Sequence, residues 1–224
     1  MRRNWWKILC IILLLYTCWA GFLGGVPAKP ILNETIRNLY FHVSMWFSMM
    51  IFFTISLVNA IRYLANPQVQ RFDILSTEYA KTGIIFGVLG LITGAIWANY
   101  TWGKPWSNDP KQLGAAIALL IYFAYLVLRN SIEDPEKKAR VSAVYNIFAF
   151  ALLFPTLWIV PRLMESLHPG GMGNPAMNPN DIDSRMRIIF WPAAVPGWTL
   201  LGVWITSLKI RWKTLEEKKL SNAH

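Results

Sequence analysis

Trp97-Ala-Asn-Tyr-Thr-Trp102-Gly-Lys-Pro-Trp106-Ser-Asn-Asp109-Pro-Lys111 is a short aromatic loop between two stretches, residues 82–103 and 112–128, that contain no Asp, Glu, Lys or Arg. Each stretch approaches the ~17–25 residues that carry a helix across a bilayer core. Four more charge-free runs flank this pair, at residues 8–28, 38–61, 141–161 and 188–208. The chain of 224 residues is 54% hydrophobic and only 15% charged, with a mean hydropathy of +0.34. A soluble domain carries nearer to about 25% charged residues. Amphipathic periodicity is weak in most of the runs, as expected where lipid surrounds a helix. The expectation is an all-α polytopic membrane protein with six transmembrane helices, forming a single domain over residues 1–224.

The net charge of +10 is distributed as membrane orientation requires. With the amino terminus in the cytoplasm, 15 of the 22 Lys and Arg fall on inner segments and 7 on outer ones. The positive-inside rule then puts both termini in the cytoplasm and the Trp loop outside. Nucleic acid is excluded as a partner by this distribution, and lipid is implied. The opening Met1-Arg-Arg-Asn-Trp-Trp-Lys7 before an apolar run also fits a secretory signal peptide, with Val26-Pro27-Ala28 as a poor cleavage site. The run exceeds a usual signal core, which favours an uncleaved first span. Cys10 and Cys18 both lie in that span without C-x-x-C spacing, as inert thiols do.

The inner connections, residues 62–81 and 130–140, read as polar, solvated ends. Asp134-Pro135-Glu136 reads as a helix start. Two outer loops differ, at about 99–111 and at 162–187. The second contains His168-Pro-Gly-Gly-Met172-Gly-Asn-Pro-Ala-Met177-Asn-Pro, too rich in Pro and Gly for a regular helix. In the third span Gly83, Gly87, Gly90 and Gly94 share one helical face. Such a groove admits a neighbouring helix, or a flat ligand, close to the backbone.

Three Trp and a Tyr within ten residues of the first outer loop offer flat apolar faces suited to a porphyrin. An interfacial aromatic belt is the competing explanation. Of the three histidines, His224 is terminal, whereas His42 and His168 fall on the same side of the membrane as the Trp loop. Imidazole is an ordinary axial ligand of haem iron, and a pair of them holds it six-coordinate. Each alone is better explained as an interfacial residue bonded to backbone, and it is their shared side with the Trp loop that brings the ligand reading level with that one. Asp109 before Pro110 has the form of an N-cap with Pro at the first helical position, a role compatible with shaping a ligand platform. Lys104, Lys111, Arg37 and Arg162 are the outer cations available to haem propionates.

The Trp-Gly-x-x-Trp-x-x-Asp loop between spans three and four, with one outer His at the second span and one after the fifth, resembles the cytochrome c assembly family. The six-span arrangement is most similar to its haem exporter protein C (CcmC) branch. The resemblance implies that Trp102, Gly103, Trp106 and Asp109 form the Trp-rich (WWD-type) motif and that His42 and His168 are the axial ligands. The cargo is then non-covalently bound b-type haem, held at the periplasmic face of a bacterial inner membrane. It is presented to a membrane-anchored periplasmic haem chaperone, with ABC-type transporter subunits as further partners, and no bond is made. Pro105 and Asn108 stand where the family motif often has Trp, and Ser44 where Pro often follows His-Val, so the platform is thinner than usual. Two alternatives are a haem lyase subunit, which attaches haem to apocytochrome c, and a copper-handling protein using His168, Met172 and Met177, since thioethers suit Cu(I).

Overall fold

The structure, a computed structural model, describes residues 4–29, 31–168 and 182–221. Six helical segments are long and apolar enough to cross a membrane, and no strand occurs among the described residues. The helices are α1 (Trp5–Leu23), α2 (Leu39–Ala65), α3 (Gln70–Trp102), α4 (Pro110–Asn130), α5 (Pro135–Phe154), a short α6 (Ser184–Ile189) and α7 (Val195–Ser221). A 3-10 turn, Asn33–Asn38, leads into α2. Wide π turns at Pro155–Ile159 and Phe190–Ala194 prolong α5 and join α6 to α7. The chain is therefore an all-α, multi-pass membrane protein.

The helix starts follow the local chemistry. Asp134 and Asp109 each cap a helix whose first residue is proline, accepting from the amides of Lys137 at 2.6 Å and Lys111 at 2.9 Å. Proline has no N–H to lose there and its φ is already helical. Prolines placed late in a helix act differently. Pro155 and Pro192 interrupt the ladder, and the chain accommodates them as π turns.

The glycine face of α3 receives a helix. A Cβ built on Gly83, Gly87, Gly90 or Gly94 would meet, in turn, Phe53 at 2.5 Å, Met49 at 2.8 Å, Trp46 at 2.9 Å and His42 at 2.6 Å. These four α2 side chains repeat the glycine spacing in reverse, so one antiparallel register seats the whole row. Close approach of backbones is how membrane helices gain packing energy without a hydrophobic drive. The uppermost seat in that row holds His42. Gly94→Ala is therefore expected to push the imidazole aside while the bundle still inserts. Gly83→Ala should instead lower stability by about 1–3 kcal/mol through overpacking, leaving the His42 ring in place. The imidazole NMR signals and the yields of the two variants, measured together, check this.

The inner connection is shorter than the sequence implies. Only residues 66–69 separate α2 from α3, and residues 70–81 are helical. The helix of 33 residues spans about 50 Å at ~1.5 Å per residue, more than the ~30 Å hydrocarbon layer, so one end stands in the headgroup region. Asp73, expected as a solvated end, is instead buried against Arg129 of α4, in a two-pronged ion pair of 2.8 and 2.6 Å. Glu78, also buried, accepts from Lys81 at 2.7 Å. Deeper in the bundle Asn146 donates to Ser56 and Ser76 at 2.7 and 2.9 Å. Burial of these groups is tolerable because each has a partner.

Sidedness is directly testable. A reporter fused after Lys219 is expected to stay cytoplasmic and one fused after Lys104 to be exported. The same side for both would remove an odd number of spans from the assignment.

Candidate functional site

At the end of the bundle where α3 meets α4, a cavity of about 340 Å³ is lined by both His42 and His168. Its size lies within the ~300–1,000 Å³ range of small-molecule sites. Trp46, Trp97 and Trp106 contribute aromatic walls, while Lys29, Lys111 and Arg162 contribute positive charge. A smaller recess of about 30 Å³ is lined by the same two histidines with Trp97 and Trp102.

His42 is fixed between α2 and α3. Its Nδ1 lies 3.0 Å from the carbonyl oxygen of Gly90 and 3.3 Å from the hydroxyl of Thr93. Trp46 and Trp97 meet its ring edge-on at 6.1 and 5.8 Å. Trp97 is held in turn by its indole N–H, which donates to Thr35 at 2.9 Å.

His168 is held by Asp109. Its Nδ1 lies 2.8 Å from Asp109 Oδ1, and Trp102 meets the ring edge-on at 5.0 Å. The carboxylate also accepts from the Ser166 hydroxyl at 2.9 Å, the Leu167 amide at 2.7 Å and, as the α4 cap, the Lys111 amide. Burial alone would raise the Asp109 carboxyl. The hydrogen bond and attraction of His168, with the two amides, outweigh it and keep the group ionised well below the usual carboxylate range. For both histidines Nδ1 is engaged, and among the described residues neither Nε2 makes a hydrogen bond. That arrangement fixes the ring and leaves the other nitrogen available to a metal, the usual second-partner pattern of metal-binding imidazoles.

The Trp loop owes its shape to a side chain that the sequence reading passed over. Gln112 accepts from the Ser107 amide and hydroxyl at 3.0 and 3.1 Å and donates to the Pro105 carbonyl at 3.3 Å. Gly103 and Asn108 have positive φ of 77° and 56°, which Gly and Asn adopt readily. Gly103 thus ends α3. Trp106 donates to Asn108 at 2.7 Å and faces the cavity. Trp102 supports His168 and does not line the large cavity. Tyr100 is exposed and lies outside the cavity lining.

The cations divide as well. Lys111 and Arg162 line the cavity, joined by Lys29, which the sequence reading omitted. Arg162 lies 4.8 Å above the Trp158 ring, also at the cavity, where the π turn of α5 puts it. That turn fits against α4 because Gly114 leaves room for the Thr156 carbonyl. Arg37 is committed to Glu34 and to the carbonyls of Gly21 and Gly24, and Lys104 lies outside the lining. Met172 and Met177, on which a copper site would rely, are outside the described residues, as is His224.

Comparison with known proteins follows this geometry. The family profile described as cytochrome C assembly protein matches residues 4–168, which include α1 to α5 and both candidate histidines. The cytochrome c biogenesis protein CcsA of Cuscuta reflexa is 29% identical over 164 residues, covering 70% of this chain and 50% of the relative. CcsA of Prochlorococcus marinus subsp. pastoris is 45% identical over 96 residues, 43% of this chain and 31% of the relative. The chain thus spans at most about half the length of these curated relatives. By the match over residues 4–168, the chain belongs to the cytochrome c assembly protein family.

Proposed function

We propose that this protein binds haem non-covalently at the outer face of a bacterial inner membrane and presents it for c-type cytochrome maturation, as in the haem exporter protein C branch. One observation carries this reading: two imidazoles from distant parts of the chain line one aromatic cavity with Nδ1 engaged and Nε2 unbonded among the described residues. His42 and His168 would hold the iron, Trp46, Trp97 and Trp106 would cover the porphyrin, and Lys29, Lys111 and Arg162 would meet the propionates. Trp102, Gly103, Trp106 and Asp109 would act as the WWD-type loop. Cargo binding and handover need no bond-making residue. The recipient would be a membrane-anchored periplasmic haem chaperone, and ABC-type transporter subunits would supply any ATP-driven step.

A haem lyase subunit is the second reading, favoured by similarity to proteins named for cytochrome c biogenesis. It keeps the same haem site and adds attachment to apocytochrome thiols. Covalent haem on a co-expressed apocytochrome, lost in the His42 and His168 variants, would select it.

The Trp loop provides the test of the binding reading. Aromatic contacts contribute about 0.5–1.5 kcal/mol each beyond their buried area, so Trp102→Ala or Trp106→Ala alone should weaken haem retention modestly. The double variant is expected to lose about tenfold for each ~1.4 kcal/mol removed. It should remain inserted at normal level, whereas Phe at both positions should retain much of the binding. A purely interfacial role predicts the opposite: lower yield, with normal haem binding and delivery by whatever protein is made.

A further inference from the structure

The two candidate ligands are mounted differently. His42 belongs to a long helix, its ring seated on Gly94 and its Nδ1 against the Gly90 carbonyl. Moving it requires moving α2 against α3, the most closely meshed pair in the bundle. His168 belongs to an irregular segment, residues 163–168, beyond the last 3-10 turn of the fifth span. Its side chain is 26% exposed, and the carboxylate that holds it is fully covered.

Asp109 is the common anchor of that segment. Ser166, Leu167 and His168 all bond to the one carboxylate, and Ser166 Oγ also accepts from the His168 amide at 3.2 Å. Asp109 itself is fixed at the start of α4. Leu163, Met164 and Leu167 are exposed, so among the described residues little apolar packing holds the segment down. A hydrogen bond to a charged group is stronger than one between neutral groups. A latch of a few such bonds is strong enough to preorganise the imidazole and weak enough to open.

We infer that haem leaves by exchange at His168: the Asp109–Ser166–Leu167–His168 latch opens and the segment withdraws, while His42 keeps its hold. The inference rests on the haem-binding reading above. In the exchange the bond between iron and His168 Nε2 breaks, and a neutral nitrogen donor from the recipient forms the replacement bond. Both ligands bring an electron pair, so no oxidant or reductant is consumed. Asp109 is then a positioning residue, and its latch sets the lifetime of the bound state.

Asp109→Asn and Ser166→Ala test this in the full chain in detergent. Asn is as good an N-cap as Asp, so the start of α4 is preserved while the charge and half of the acceptors are lost. In haem-free protein, hydrogen–deuterium exchange at the Leu167 and His168 amides is expected to quicken in both variants. In haem-loaded protein, first-order haem loss to excess apomyoglobin should quicken by about tenfold for Asp109→Asn, the equivalent of one charged hydrogen bond. Ser166→Ala should have a smaller effect in the same direction. His168→Gly loaded with free imidazole should lose haem faster still, whereas His42→Gly, whose enclosed seat admits imidazole slowly, should load only partly with haem. Faster amide exchange with unchanged haem loss, or faster loss from the His42 side with His168 intact, overturns the inference. A wild-type protein that takes up no haem overturns the underlying reading instead, before any variant is compared.

Discussion

Replacing either His42 or His168 with alanine is expected to turn a six-coordinate, low-spin haem spectrum into a five-coordinate or haem-poor one. Added imidazole should partly restore the original spectrum, because it supplies the missing nitrogen in the space the side chain leaves. The structure predicts unequal recovery. The His168 position, on a partly exposed segment, admits imidazole readily. The His42 position is enclosed by Trp46, Trp97 and the Gly90–Gly94 face, where a free ring gains less and enters more slowly. If both single variants keep the wild-type spectrum, the histidines are interfacial residues bonded to backbone and carboxylate.

Arg129→Met is expected to be the most destabilising single change away from the cavity. It leaves the Asp73 carboxyl buried without its partner, and breaking such a pair costs about 3–5 kcal/mol. Asp73→Leu combined with Arg129→Met should recover most of that loss, since apolar replacement of a whole buried pair is often neutral. Unfolding in mixed micelles, followed by circular dichroism, reads both variants. The haem spectrum of the folded fraction should stay unchanged, because neither residue lines the cavity. A single variant as stable as wild type would show that water reaches Asp73 freely.

Much of the architecture is written in one dimension. A membrane span needs a continuous charge-free run, so all six spans are visible in composition. Asp-Pro pairs mark the starts of α4 and α5 because capping is local. The glycine face of α3 was visible as a groove, but its occupant was not, since a register between helices depends on both partners. The Asp73–Arg129 pair was missed for a related reason: 56 positions separate two residues that each look like a solvated helix end.

The candidate site was legible as residue types and only partly as roles. His42, His168, Trp106, Lys111 and Arg162, which topology put only on one side of the membrane, line one cavity. Asp109 was readable as a cap, but its hold on His168 depends on how the segment after α5 folds back, which no local pattern encodes. Trp102 faces the histidine from the side, Arg37 is spent on helix-end carbonyls, and Gln112 shapes the loop, all results of packing. Pro105 and Asn108 have local tasks here: one carbonyl for Gln112 and one acceptor for Trp106.

The central claim is that this cavity holds haem between two imidazoles, and the optical spectrum of the purified wild-type protein, read with its iron and copper content, tests it most directly. The account predicts a Soret band with low-spin visible bands, about one haem per chain as two ligands at one site require, and no stoichiometric copper. A protein free of haem after expression with ample haem supply, or one carrying copper in its place, would contradict it.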